Sequence, residues 1–218
     1  MSSSTAKTDR ESSIDATEFV WDGGGETGAH RYLAAPICAR LAAARARTVL
    51  DLGCGNGALT ARLAARGYDV AACDYSLSGL QKAREALPSA VLFRHDLGAD
   101  LPASHVGRYD AVVSSEVIEH LLLPRKLMRS AFAALRPGGV FIATTPFHGY
   151  LKNLLLALTN KFDDHWHPLR DYGHVKFFSR RTLTRLFEES GFEDLRYSAA
   201  GRVPPVACSM VISGTKPS

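Results

Sequence analysis

The sequence contains no CxxC pair: its four cysteines, Cys38, Cys54, Cys73 and Cys208, lie far apart in 218 residues. The paired-cysteine metal and redox readings therefore drop out, and free thiols used as small apolar residues point to a reducing cytoplasm. No apolar run reaches membrane-spanning length, and the opening MSSSTAKTDRESS lacks the apolar core of a signal peptide. The formal charge of +4 comes without a Lys/Arg block or a basic-aromatic stripe, so nucleic acid is not an expected partner. Internal repeats and a second domain are also missing. Residues 1–18, rich in Ser, Thr and charge, are expected to form a disordered tail.

What is present is an ordinary globular balance, 46% apolar and 22% charged, long enough for one α/β domain over 19–218. Short apolar runs alternate with helical patterns. A Gly-rich turn (WDGGGETG) leads into an Ala-rich helix from about Thr27 to Ala44. TVLDL (48–52), DVAACD (69–74), VLFRHD (91–96), YDAVVSS (109–115) and VFIATTPF (140–147) read as strands. ALTARLAARG ends its helix at Gly67, Ser76 caps the next, and PRKLMRSAFAALRPGG runs to its Pro-Gly-Gly. Near-continuous apolar strands separated by helices predict a mostly parallel, Rossmann-like sheet with helices on both faces. SRRTLTRLFEESGF, capped by Ser179, and two strand candidates, FEDLRYSA and VACSMVISGT, close the chain.

Gly53, Gly55 and Gly57 follow the first strand, where doubly wound sheets bind ligands. The spacing Gly53-x-Gly55-x-x-Ala58, with Asp74 ending the second strand, also fits a dinucleotide fingerprint, so an NAD-dependent dehydrogenase is a rival reading. Charge separates the two. A pyrophosphate would be repelled by Asp51, two residues before the first glycine. Asp51, Asp74, Asp96 and Glu116 all fall at or just beyond strand ends, and four acids on one rim suit a cation such as the sulfonium and ammonium of S-adenosylmethionine.

SEVIEHL (115–121) places Glu116, Glu119 and His120 at i, i+3 and i+4, so a helical turn would face all three one way. They could hold a metal, move a proton, line the site or cap a helix. The insertion at about 147–178 is expected to act as a lid or substrate-binding element, and it carries His148, His165, His167 and His174. Its stripe of Leu151, Leu154, Leu155, Leu158 and Phe162 is expected to pack on its own domain. The alternatives are cover for an apolar acceptor or a membrane contact through 149–162, which Lys152 and Lys161 support only weakly.

VLDLGCGNGALT, VAACDYS, HDLG, YDAVVSSEVIEHL and LRPGGVFIATTP, in this order, closely resemble the class I S-adenosylmethionine-dependent methyltransferases. The resemblance implies a seven-stranded sheet with an antiparallel last strand. It also implies roles: Asp51 with Gly53, Gly55 and Asn56 on the methionine side, Asp74 on the ribose hydroxyls, and Tyr75 beside adenine. Asp96 would receive the adenine amino group with Leu97 alongside, and Ser115 would touch the cofactor by its backbone. AHRYLAAPICARL, EVIEH and GHVKFFSRRTL are most similar to the ubiquinone-biosynthesis O-methyltransferases, which implies that Arg31 pairs with the cofactor's carboxylate. In that type E-x-x-E-H is associated with a divalent cation, here Glu116, Glu119, His120 and, from the insertion, His174. The same pattern occurs in methyltransferases of small-RNA 3′ ends. His120, with Glu119 beside it, is the candidate general base. The expected reaction is methylation of a hydroxyl on a small aromatic or quinol-like acceptor, although the lid differs from that of the quinone enzymes.

Overall fold

The alternation is realised in a computed structural model that describes residues 19–21, 28–166, 169–202 and 207–218. The expected 1–18 tail, most of the Gly-rich turn (22–27) and His167 lie outside the described residues. Strands β1 (Thr48–Leu52), β2 (Asp69–Asp74), β3 (Val91–Arg94), β4 (Tyr109–Ser115), β5 (Leu135–Pro146), β6 (Glu193–Ala200) and β7 (Ser209–Thr215) form one sheet. Its order is β3-β2-β1-β4-β5-β7-β6. The β1–β2, β2–β3, β1–β4 and β4–β5 pairs are parallel, whereas β7 runs antiparallel to both β5 and β6. The helices are α1 (Gly28–Ala43), α2 (Ala58–Ala64), α3 (Leu77–Ala86), α4 (Pro124–Ala134), α5 (Tyr150–Leu158), α6 (Phe162–Trp166) and α7 (Arg180–Glu189).

Successive strand residues feed opposite cores, as the two-residue strand period requires. Val49 of β1 packs with Leu33 and Ile37 of α1 and Leu59 of α2. Its neighbour Leu50 packs with Leu127 and Met128 of α4 and Phe187 of α7. Ala111 and Val112 of β4 divide in the same way, as do Phe141 and Ile142 of β5. Both faces are thus covered, which is why the parallel strands read as unbroken apolar runs. Ser76 accepts from the Gly79 amide at 3.1 Å, and Ser179 and Thr182 form a capping box at the start of α7.

Several expected boundaries shift. α4 ends at Ala134 instead of running to the glycines, because Pro137 cannot donate within a helix. Leu135 already pairs with Tyr109, and a register shift precedes the Ala111–Val140 pair. β3 stops at Arg94, two residues short of Asp96, although the His95 amide still donates to the Asp74 carbonyl at 3.0 Å. In α5 no residue is buried: Leu151, Leu154, Leu155 and Leu158 stay exposed, as does Phe162. The helix packs mainly with the short α6, which is too small to bury the stripe. Among the described residues no helix is long and apolar enough to cross a membrane.

Candidate functional site

The carboxyl ends of β1, β2 and β4 meet at the glycine loop. Gly53, Gly55 and Gly57 have φ of 83°, 53° and 76°, conformations that cost an L side chain about 1–2 kcal/mol. The Gly53 and Cys54 amides both donate to the Cys73 carbonyl at 2.9 Å, which fastens the loop to β2. The Gly55 amide donates to one Asp74 carboxylate oxygen at 2.7 Å, and the Ser76 amide to the other at 2.8 Å. Asp51 is 2% exposed and accepts from the Thr60 hydroxyl at 2.7 Å. Burial pushes its carboxyl up to about 7.

The other rim residues take simple positions. Asn56 is buried and accepts from the Ala58 amide at 3.2 Å. The Arg94 guanidinium lies 4.5 Å from the centre of the Tyr75 ring and donates to the Tyr75 carbonyl. Asp96 is exposed and accepts from the Gly98 amide at 2.7 Å, and the neighbouring Leu97 is buried. The Ser115 hydroxyl meets that of Thr144 at 3.0 Å. Arg31 is exposed on the first turn of α1.

Sequence reasoning missed a strap over this loop. The Phe19 carbonyl accepts from the Ser76 hydroxyl at 2.7 Å, and the Trp21 amide donates to the Ser78 hydroxyl at 3.0 Å. The Trp21 indole lies against Gly55 and Gly79, where it fills the space a Cβ would need. Phe19 also meets Tyr172 of the insertion edge to face, with centroids 6.2 Å apart. The one sequence signal was a tryptophan just before a glycine run.

The 116–120 segment departs from the single helical turn expected of it. Glu116 has φ 56°, and only Ile118–His120 forms a 3-10 turn. Glu116 is instead held by β5 and β7: its carboxylate accepts from the Thr144 hydroxyl at 3.0 Å and the Ser209 hydroxyl at 3.3 Å. Ser209 is bonded in turn to the Tyr32 hydroxyl at 3.0 Å. Burial pushes the Glu116 carboxyl up to about 7.

Glu119, His120 and His174 come together without Glu116, their ligand atoms all within 4.8 Å of one another. The Val175 and Lys176 amides both donate to the Glu119 carbonyl at 2.9 Å, which draws His174 in. Glu119 is 1% exposed; one carboxylate oxygen accepts from the Thr145 hydroxyl at 3.0 Å and Oε1 is buried without a partner. Burial, with Glu116 nearby, holds this carboxyl well above the usual range. The His120 Nδ1 lies 3.0 Å from the Tyr172 carbonyl and 3.3 Å from that of Gly173. Facing two acceptors, Nδ1 carries the proton and leaves the Nε2 lone pair free. Burial lowers the pKa of His120, and lowers that of His174 to about 4 with His120 adding to the effect.

Beside this group lies a cavity of about 470 Å³, lined among others by Tyr32, Glu116, His148, Lys152, Trp166 and Ser209. The chain therefore offers an acidic glycine-loop rim and a cavity walled by insertion residues, with Glu116 of the 116–120 segment on the cavity's lining.

A family model described as a methyltransferase domain matches residues 27–197. The ubiquinone biosynthesis O-methyltransferase of Psychrobacter arcticus is 30% identical over 154 residues, 67% of this chain and 59% of the relative. The enzyme of the same name from Xanthomonas axonopodis pv. citri is 38% identical over 112 residues, 50% of this chain and 46% of the relative. The chain thus spans about half to three fifths of these relatives. Among solved structures, the methyltransferase domain of bacterial CtHen1 superposes with TM-score 0.65 at 23% identity, covering 84% of this chain and 97% of that one. Magnesium protoporphyrin IX methyltransferase from Synechocystis, solved with bound SAH, gives 0.64 at 18% identity, covering 84% and 82%. At these identities both show the fold alone.

Proposed function

The chain belongs to the methyltransferase-domain family, and from that premise we propose that it transfers a methyl group from S-adenosylmethionine to a hydroxyl of a small aromatic or quinol-like acceptor. The observation that carries this reading is the acidic rim around a glycine loop: buried Asp51, Asp74 tied to the Gly55 amide, and Asp96 beyond β3. A cationic donor is stabilised there, whereas a pyrophosphate meets Asp51 at close range.

In this reading Asp51 faces the methionine ammonium, and Gly53, Gly55 and Asn56 line the path of the methionine. The Asp74 carboxylate, aimed by two amides at the end of β2, faces the ribose hydroxyls. Tyr75, Asp96 and Leu97 surround adenine, the Ser115 backbone borders the cofactor, and Arg31 reaches its carboxylate. The acceptor oxygen attacks the methyl carbon in line as the carbon–sulfur bond breaks. The bonding pair returns to sulfur, leaving neutral S-adenosylhomocysteine. The protein's work is alignment and removal of one proton, which Nε2 of neutral His120 accepts, with the Glu119 carboxyl beside it.

Glu119, His120 and His174 are also a fitting donor set for a divalent cation, with one buried unpartnered oxygen and two neutral imidazoles. When bound, such an ion lowers the pKa of a hydroxyl and orients it. His120 then serves as a ligand, and its use as a base belongs to the metal-free protein.

Calorimetry at low salt with S-adenosylhomocysteine and with NAD tests the donor assignment. Binding of the first and not the second is expected; tight NAD binding with no heat from the thioether overturns it. Label transfer from radioactive S-adenosylmethionine to catechols tests the acceptor class.

A further inference from the structure

Resting on that reading, we propose that the methyl acceptor is an aromatic carboxylate whose anionic group is held by Lys152 and Arg202 at the lid cavity. The cavity, about 470 Å³, is the size of a small-ligand site, and Leu155, Leu156, Trp166 and Phe177 give it an apolar wall suited to a ring. Its polar equipment is one-sided. Lys152 of α5 donates to the Phe147 carbonyl at 3.0 Å and forms no ion pair among the described residues, so two of its three ammonium protons remain for an occupant. Arg202 is exposed, borders the same cavity and has no hydrogen-bond or ion-pair partner among the described residues.

Glu116, the one carboxyl lining the cavity among the described residues, is a poor counter-ion. It already accepts from Thr144 and Ser209. Two cations against one carboxyl that is already hydrogen-bonded favour a monoanion over a neutral ligand or a dianion, and the guanidinium fork matches a planar carboxylate.

His148 is the independent sign that something polar binds here. It lines the cavity, is 8% exposed, and has both ring nitrogens buried without a partner. Leaving such groups unsatisfied is unfavourable, and a polar occupant would satisfy them. Burial, with Lys152 nearby, lowers its pKa to about 4, so the ring is neutral and offers one donor and one acceptor to the ligand. Aromatic neighbours fix its plane: Trp166 and Phe177 each lie 5.2 Å away between centroids.

Protocatechuate and its methyl ester, two catechols differing in the anion, supply the test on the full chain saturated with S-adenosylhomocysteine. Calorimetry should show the acid binding about tenfold or more tighter than the ester. The same preference should appear in kcat/KM for label transfer from S-adenosylmethionine. Lys152→Gln and Arg202→Gln should each shrink the acid-to-ester ratio toward one, leaving the ester's own affinity and that of S-adenosylhomocysteine unchanged. Arg202 is exposed, so its variant guards against misfolding of the other. Equal binding of acid and ester, binding of neither, or variants that weaken both alike would overturn the carboxylate proposal while the donor reading stands. Absence of S-adenosylhomocysteine binding would instead bring down the donor reading, and this proposal with it.

Discussion

The Gly55 amide and the Asp74 carboxylate are joined by a 2.7 Å hydrogen bond, so the loop after β1 is locked to the end of β2. The Ser76 amide holds the second oxygen, and the carboxylate is aimed before any ligand arrives. Asp74→Ala should therefore weaken S-adenosylhomocysteine binding at least about tenfold, through loss of a charged acceptor and a looser loop. Calorimetry measures this. Unchanged affinity would move the ribose site elsewhere.

Trp21 and Gly55 make a second pair. An alanine at Gly55 meets both a φ of 53° and the Trp21 indole. Gly55→Ala should lower cofactor affinity by more than about tenfold, given the 1–2 kcal/mol backbone cost plus the clash. Adding Trp21→Ala should recover part of the loss, because only the clash is removed. A double variant no better than Gly55→Ala would mean that Trp21 does not press on the loop.

The pH dependence follows from buried Asp51, whose carboxyl sits at about 7 in the fold against an ordinary 3.8. Between those values the native state holds a proton that the unfolded chain has lost, so the slope of unfolding free energy against pH is negative. Its contribution is complete below the unfolded value and disappears as pH rises through the folded one. His148 and His174, depressed to about 4, act with the opposite sign between that value and 6.5. Comparison with Asp51→Asn, which can still accept from Thr60, removes them from the difference. The Tm of the variant relative to wild type should climb from about pH 5 to about pH 8. A constant offset would place Asp51 in its ordinary range.

Manganese titration of the protein, followed by electron paramagnetic resonance, addresses Glu119, His120 and His174. His174→Ala should reduce affinity by about tenfold or more. Glu116→Gln should change it far less, because Glu116 is held by Thr144 and Ser209 outside the group of three. If Glu116→Gln abolishes binding as fully as His174→Ala, the ligand set includes it.

Much of this architecture is legible residue by residue. β2 and β4 occupy the spans that their apolar runs mark, and Ser76 and Ser179 cap helices as their positions suggest. The glycine loop and the acids at the strand ends are equally local signals. Strand period, cap chemistry and the freedom of glycine at positive φ depend on a few neighbouring residues, so a linear text contains them. Glu116 is the counterexample. Its spacing to Glu119 and His120 suggested one helical face, but its left-handed backbone sends it to Thr144 and Ser209.

Distant pairings have no such text. Trp21 on Gly55, Val175 and Lys176 on the Glu119 carbonyl, and Lys152 sharing a cavity with Arg202 join parts of the chain that no periodicity relates. The sequence by itself determined the alternating sheet, its glycine-loop edge and the negative character of that edge, because each follows from short-range sterics and residue type. Only the tertiary structure decided which groups share a cavity, since strand order brings β5 and β7 together and folds the insertion back onto the 116–120 segment. Burial then set which of those groups carry charge.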